Sequence, residues 1–407
     1  MTQVNPSGLN VRLFNVKYSP NLGDGLLSEC LEQALITCGA NARTHSVDLA
    51  ARTSYTTGGE SRSLKLRVLE AIPAMLRPLA VRLPMAIAAR KRWSPHYARG
   101  LEGADCVVIG GGNLLADLDL NFPTKLSLAI HAAAGRGLPV YIYGCGVSAG
   151  WSKRGLALLN AALSTGAVRR VFVRDEMSKS LWDRQFGDAH ALPASVVRDP
   201  GLLACKVYAG AGAPSGGSGG QAIGVNVISH IALKYHAADA PSHEALEAWY
   251  LGLVASLIGN GQQPVLFTNG SPEDRAYLAA LRPKLESLSQ SDRILFPDAA
   301  TPAELVELIA ALGGLVAFRM HAIIAAYSCG VPFLALSWDP KLDAFVKSVN
   351  KPDWLCAVAT SSPTQSAAML AAAMAGGIAP SERLAVVEQA MDGVAKLYEA
   401  MVDERAG

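Results

Sequence analysis

The sequence contains little that would support a disulfide-rich, metal-binding or nucleic-acid-binding protein. Its seven cysteines are scattered without a CxxC pair, so we expect neither a disulfide framework nor a zinc site. The eight histidines show no HExxH or similar spacing, and we expect no metal and no cofactor. The net charge is only +2, which gives no overall case for binding nucleic acid.

Long apolar runs and targeting patterns are also missing. No segment approaches the ~18–20 apolar residues that a membrane span requires. The amino terminus lacks the basic and apolar regions of a signal peptide. Together with the unpaired cysteines, these absences predict a cytoplasmic protein in a reducing compartment.

Half of the residues are hydrophobic, and apolar segments alternate with helical ones along the chain. This rhythm predicts an α/β fold with parallel sheets and helices on both faces. Strands are expected at 11–16, 44–49, 106–110, 139–144, 170–173, 222–228, 264–269, 293–296, 313–318, 331–336 and 355–358. The Gly/Ser-rich segment reads as a linker at 208–221. We therefore predict two Rossmann-like domains facing a cleft, at 1–207 and 222–380, followed by a C-terminal helix at 381–407.

The best-defined candidate site follows the predicted strand 313–318. Arg319 and His321 stand where that strand ends and an alanine-rich helix begins, and the next strand leads to Lys341. Open α/β sheets bind ligands at the carboxyl ends of their strands, and a buried arginine there needs an anionic partner. An anion would also favour protonation of His321, which the helix dipole disfavours. The alternative is a structural arginine beside a histidine that caps the helix.

Polar residues at other predicted strand ends are candidate partners for this site. Asn21 and Asp24 follow the first strand, and Asp24 stands where a helix cap would. Asn113 and Ser148 lie in glycine turns, which either bring backbone amides to a ligand or are tight turns between strand and helix. Arg174 ends another strand and is either an ion-pair partner of its acidic neighbours or an anion clamp.

A basic insertion at residues 50–103 interrupts the α/β rhythm. Within it, residues 61–99 contain nine Lys or Arg and one acid, which gives this segment a net charge of +8. Leucines and other apolar residues lie between the basic ones. Such a stretch can dock on an anionic membrane surface, here the inner face of the membrane, and each basic residue would contribute roughly 1 kcal/mol. Pro73, Pro78 and Pro84 divide it into short pieces, however, so a solvated insertion loop or lid is the alternative.

Several motifs, in a fixed order, resemble those of the polysaccharide pyruvyl transferases. They are NLGDGLL, VVIGGGNLL, GCGVS, VFVRDEMS and FRMHAIIAAYSCGVPFLALSWDPK, between about residues 14 and 350. The resemblance implies a GT-B-like fold and transfer of a pyruvyl group from phosphoenolpyruvate to a sugar. The product would be a ketal on a bacterial polysaccharide or its lipid-linked precursor. In that family the R-x-H motif lies at the phosphoenolpyruvate site, which here means Arg319 and His321, with the Met320 backbone beside them.

The resemblance also suggests roles for these residues. His321 would be the general acid, Arg319 the anion clamp, and Asp24 a base or a ligand of the acceptor. A second donor-binding arginine is expected from the family, and we assign it to Arg174. Two alternatives are a GT-B nucleotide-sugar glycosyltransferase and a non-catalytic protein of polysaccharide assembly. Against the glycosyltransferase alternative, the sequence has no E-x7-E pattern around the helix after residue 321.

Overall fold

A computed structural model describes residues 8–55, 84–208, 221–236, 241–288, 293–358 and 360–406. Within these ranges the chain forms two parallel sheets with helices on both faces, as the alternating pattern predicts. Most of the predicted linker, residues 209–220, lies outside the described residues.

The first sheet has six parallel strands in the order β2-β1-β3-β4-β5-β6. They are β1 Val11–Asn15, β2 His45–Asp48, β3 Cys106–Gly110, β4 Val140–Cys145, β5 Val168–Val173 and β6 Ala194–Val196. Side chains of β1 alternate between the two faces, since Leu13 belongs to one core cluster and Phe14 packs on the other side against Tyr97. Both faces are apolar because helices cover both.

The second sheet has five parallel strands in the order β11-β10-β9-β7-β8. They are β7 Ala222–Asn226, β8 Gln263–Phe267, β9 Gly314–Ala317, β10 Phe333–Leu336 and β11 Leu355–Cys356. The strand predicted at 293–296 is wrong: only Leu295 pairs there, in a single bridge with Val265. Leu295 is exposed and Pro297, which lacks an amide hydrogen, follows, so the ladder does not extend.

Helices connect and cover the strands. In the described residues they are α1 Leu22–Thr37, α2 Ser94–Gly100, α3 Asn121–Ala134, α4 Lys153–Leu163, α5 Glu176–Trp182, α6 Asp188–His190, α7 Ala204–Val207, α8 His230–His236, α9 His243–Gly259, α10 Pro272–Glu286, α11 Pro302–Ala310, α12 Met320–Cys329, α13 Pro340–Ser348, α14 Pro363–Gly376 and α15 Pro380–Ala406. Short π-helical turns occur at Ala89–Trp93 and Asp183–Gly187, and 3-10 turns at Pro200–Leu203 and Pro352–Trp354. The short strand β6 and helix α8 are not predicted from the sequence.

The two halves of the chain share one continuous apolar cluster. It runs from one face of the first sheet through α1, α12 and α15 to one face of the second sheet. Although α15 follows the second domain, it packs on the first, where the Tyr398 hydroxyl donates to the Gly39 carbonyl at 2.7 Å. A second link between the two domains is a hydrogen bond from the Leu22 amide to the Asn269 carbonyl, at 2.7 Å. Since Leu22 and Asn269 follow strand ends, the carboxyl edges of the two sheets face each other across a cleft.

Only part of the basic segment 61–99 is described, because residues 61–83 lie outside the described ranges. Residues 84–100 are helical, with Trp93 and Tyr97 buried against the first domain and Arg90, Lys91 and Arg92 exposed. In the part of the chain that is described, no single helix is long and apolar enough to cross a membrane. One bent pair, Pro363–Gly376 with Pro380–Arg405 at 91°, passes that test by length and composition.

Candidate active site

Arg319 lies at the carboxyl end of β9 and at the start of α12. Its backbone is extended, with φ −78° and ψ 114°, and the helix begins at the next residue, Met320, which is partly buried. The helix ends at Gly330, whose φ of 76° is a conformation that glycine adopts without strain. The buried strand and the helix thus fix the position of Arg319 at the cleft.

The guanidinium of Arg319 has a partner within the protein. Its Nη2 donates to Oδ2 of Asp274, a fully buried carboxylate in the first turn of α10. The anionic partner that a buried arginine needs is therefore present within the protein, in Asp274. In contrast to Nη2, the Nε atom of Arg319 is buried and has no hydrogen-bond partner among the described residues.

His321 lies in the first turn of α12, against the first domain. A Cβ built on Gly23 of α1 would come within 2.7 Å of His321 Cβ and Nδ1, so only glycine allows this approach. His321 Nε2 is buried without a hydrogen-bond partner among the described residues. Burial, followed by the positive charges of Arg174 and Arg319, lowers the pKa of His321 to about 3. The imidazole is therefore neutral at physiological pH.

Arg174 directly follows β5, and its positive charge is one of the two that lower the pKa of His321. Its side chain is nearly buried, with Nε 3.5 Å from Asp175 Oδ2 and Nη1 3.9 Å from Asp199 Oδ2. A Cβ on Gly146 would lie 2.8 Å from its Nη2, so this turn also requires glycine for close approach. Arg174 therefore has the acidic neighbour that the sequence suggests, together with a second carboxylate, that of Asp199.

Lys341, Asn113 and Ser148 meet across the cleft. Lys341 Nζ, from the second domain, donates to Asn113 Oδ1 and, at 3.1 Å, to Ser148 Oγ of the first. Asn113 Nδ2 in turn donates to Ser148 Oγ at 3.2 Å. Burial, followed by the charge of Arg174, lowers the pKa of Lys341 to about 8. The three residues predicted at separate strand ends thus form one polar cluster, on which the charge of Arg174 acts.

If phosphoenolpyruvate, the donor that the family resemblance implies, binds beside Lys341, its affinity should depend on pH. Phosphoenolpyruvate affinity should fall as pH rises through about 8, because Lys341 then loses its positive charge in the free protein. For one proton the fall is at most about tenfold per pH unit. Titration calorimetry between pH 7 and 9 measures the dependence, and Lys341→Met should flatten it.

Lys347→Met is the matched control, since Lys347 lies on the same helix and is exposed. It should keep the wild-type pH profile. An unchanged profile in Lys341→Met would show that Lys341 does not contact the anion.

Asn21 and Asp24 are both at the start of α1, but their roles differ from the prediction. Asn21 is the helix cap, and its Oδ1 accepts from the Gly23 amide at 3.3 Å. Asp24 lies in the first turn instead, where the helix dipole favours a carboxylate. A Cβ on Gly112 would lie 3.7 Å from Asp24 Oδ1, so this carboxylate borders the first glycine turn.

The loops that contain the glycine turns at 110–113 and 144–148 are hydrogen-bonded to each other. The Gly146 amide donates to the Gly112 carbonyl at 2.8 Å, and the Ser148 amide to the Leu115 carbonyl at 2.9 Å. These amides are therefore used inside the fold, which favours the tight-turn interpretation over ligand binding by those backbone groups. The side chains of Asn113 and Ser148 remain at the cleft.

Sequence reasoning missed four residues of this site: Gly23, Gly146, Asp199 and Asp274. The two glycines stand in the NLGDG and GCGVS motifs, whose spacing marks turns but does not reveal which side chain needs the space. Asp199 and Asp274 look like ordinary helix-start acids, and each does occupy such a position. Their contacts with arginines depend on long-range packing. Across the described residues, no three His, Cys, Asp or Glu side chains cluster as metal ligands would.

Solved structures share the fold at low sequence identity. The Anabaena protein Alr3699/HepE, solved in complex with UDP-glucose, is 11% identical with a TM-score of 0.51, covering 98% of this chain and 99% of that one. UDP-N-acetylglucosamine 2-epimerase from Rickettsia bellii is 12% identical with a TM-score of 0.51, covering 97% and 96%. These likenesses confirm the predicted pair of Rossmann-like domains in a GT-B-like arrangement.

A search among curated protein sequences gave no match. The family model for polysaccharide pyruvyl transferase, in contrast, matches residues 21–340. The matched region runs from the helix cap Asn21 to the start of α13 and contains Arg174, Arg319 and His321. The chain belongs to the polysaccharide pyruvyl transferase family.

Proposed function

We propose that the cleft transfers a pyruvyl group from phosphoenolpyruvate to two hydroxyls of a saccharide, forming a cyclic ketal and releasing phosphate. The observation that carries this proposal is the convergence of Arg174 and Arg319, one from each domain, on the unpartnered His321. Phosphoenolpyruvate carries a phosphate and a carboxylate, and planar guanidinium groups bind both well. A saccharide acceptor fits the family to which the chain belongs.

The chemistry assigns a proton transfer to His321. Binding the anionic donor offsets the two arginine charges, so the pKa of His321 rises from about 3 and the ring takes up a proton. The imidazolium then protonates the methylene carbon of phosphoenolpyruvate, which leaves C2 electrophilic. One acceptor hydroxyl adds to C2 and loses its proton, and the C2–O bond to phosphate breaks. The second hydroxyl adds to the same carbon and loses its proton, closing the ketal.

Asp24 is the candidate acceptor of a hydroxyl proton, or a ligand that orients the saccharide. It lies at the first glycine turn, near the polar cluster of Asn113, Ser148 and Lys341. Asn21 caps the same helix and holds the position of its first turn. The uncharged groups and Asp24 are proposed to line the acceptor side of the cleft, with the arginines and Lys341 on the donor side.

A binding comparison separates this function from its alternatives. Thermal-shift titrations with phosphoenolpyruvate, UDP-sugars and GDP-sugars should show stabilisation by phosphoenolpyruvate alone. Stabilisation by a nucleotide-sugar instead would support a GT-B glycosyltransferase. Binding of phosphoenolpyruvate without phosphate release in the presence of lipid-linked oligosaccharide would favour a non-catalytic assembly protein.

We also propose that the basic segment docks on an anionic membrane surface, where a lipid-linked acceptor would be presented. Arg90, Lys91 and Arg92 are exposed next to one another on a segment that buried Trp93 fixes to the domain. Arg92 donates to the carbonyl of Ala51, which follows β2, so these cations lie toward the cleft edge of the sheet.

Vesicle flotation measures this contact. Replacing Arg90 and Lys91 with alanine should lower binding to phosphatidylserine vesicles about 30-fold, from roughly 1 kcal/mol per basic residue. The matched control replaces the exposed pair Lys153 and Arg154, at the start of α4, and should change binding little. Equal binding of both double variants would rule out docking through residues 90–92.

A further inference from the structure

Asp274 joins the ends of three neighbouring strands. It follows β8, its Oδ1 accepts from the Ser229 amide after β7 at 2.8 Å, and its Oδ2 accepts from Arg319 after β9. The sheet order β9-β7-β8 makes these strands adjacent. One fully buried carboxylate therefore connects the three loops that form the wall of the cleft in the second domain.

Burying a carboxylate is costly unless it is paired and hydrogen-bonded. Burial raises the pKa of Asp274, and the nearby Arg319 is the largest influence that lowers it. A helix start does not demand this residue, since an exposed acid or a serine satisfies the first turn equally well. The pairing with Arg319 is what distinguishes Asp274 from Glu273, its neighbour in the same turn.

The bond to Asp274 also determines which N–H groups of the Arg319 guanidinium remain available to a ligand. Nη2 is held by the carboxylate, whereas Nε is buried and unpartnered among the described residues. A guanidinium held at one nitrogen loses little rotational freedom when its remaining N–H groups bind an anion. Preorganisation of this kind raises affinity without any direct contact between the orienting residue and the ligand.

We infer that Asp274 is a positioning residue of the donor site, which holds Arg319 so that its remaining N–H groups bind the anionic group of phosphoenolpyruvate. This inference rests on the proposed function, since it takes phosphoenolpyruvate as the ligand of Arg319. The rival role is a purely structural link between the three loops. Asparagine at position 274 distinguishes the two roles, because its amide oxygen still accepts from the Ser229 amide but carries no charge for Arg319.

Titration calorimetry with phosphoenolpyruvate on matched variants tests the inference. Asp274→Asn should raise the Kd by about tenfold or more, as expected when a buried charge pair is broken. Glu273→Gln, which removes a carboxylate one residue away, should change the Kd by less than about twofold. Circular dichroism melting checks that each variant is folded, and Asp274→Ser replaces Asp274→Asn if the latter does not fold.

A double-variant cycle shows whether Asp274 acts through Arg319. Combining Asp274→Asn with Arg319→Gln should give the same Kd, within about twofold, as Arg319→Gln alone. Additive losses, or an unchanged Kd in Asp274→Asn, would overturn the positioning role while leaving the proposed function intact. Failure of the wild-type protein to bind phosphoenolpyruvate would overturn both.

Discussion

Replacing His321 with asparagine is expected to lower kcat for pyruvyl transfer by about 10²- to 10⁴-fold, the usual contribution of a well-placed acid or base. His321 Nε2 is buried without a hydrogen-bond partner among the described residues, and the charges of two arginines help to lower the pKa of the ring. Asparagine fills part of the space but cannot carry the proton. Steady-state kinetics of phosphate release from phosphoenolpyruvate, with a saccharide acceptor, measure the loss.

The pH dependence of stability gives this prediction a second readout. The pKa of His321 is about 3 in the folded protein, against about 6.5 for an unfolded histidine. Between these values the unfolded state binds more protons, so the wild-type protein loses stability as pH falls below about 6.5. Thermal unfolding of His321→Asn should show a weaker loss over that range.

His131→Asn is the matched control for both measurements, because His131 lies on α3 and is exposed. It should keep the wild-type kcat and the wild-type acid sensitivity. Normal phosphate release by His321→Asn would remove the histidine from the mechanism.

Replacing Gly23 with alanine is expected to lower kcat by about 10²-fold, because displacing a catalytic group by ~1 Å has that effect. The added Cβ would meet His321 Cβ and Nδ1 at 2.7 Å, which forces α1 and α12 apart. The sign of the change in protein stability is informative, since replacing glycine with alanine inside a helix ordinarily stabilises a protein by about 0.5–1 kcal/mol. Kinetics and thermal unfolding of the same variant together decide which effect dominates at Gly23.

Gly259→Ala provides the comparison. Gly259 ends α9, and a Cβ there would meet nothing within 4 Å. Alanine at 259 should leave kcat unchanged and raise the melting temperature slightly. If Gly23→Ala behaves in the same way, α1 does not press against His321, and the proposed geometry of the cleft is wrong.

The sequence predicted the architecture well because its signals are local. Apolar strands bounded by glycine turns, and helix starts such as Thr301, whose side chain accepts from the Glu304 amide, are each determined by a few neighbouring residues. Strand ends of a parallel sheet meet at one edge, so Asn113, Ser148 and Lys341 could be placed near the cleft without knowing their contacts.

The details of the site were less accessible, because they depend on residues far apart in the chain. The contact of Gly23 with His321 and the bond of Asp274 to Arg319 arise from packing that no local pattern encodes. The neutral state of His321 was expected from the helix dipole, whereas burial and two arginines are its main causes. The sequence pattern also predicts Asp24 as the helix cap, because acids and amides serve equally well at that position and Asn21 stands only three residues earlier.

Mass spectrometry of candidate bacterial glycans after incubation with the protein and phosphoenolpyruvate tests the central claim most directly. Arg174, Arg319 and His321 are proposed to bind the donor and protonate it, so the glycan should gain the mass of one pyruvyl ketal while phosphate is released. The His321→Asn variant should give almost none of this product. Transfer of a sugar from a nucleotide-sugar under the same conditions, without any pyruvyl adduct, would contradict the proposed function.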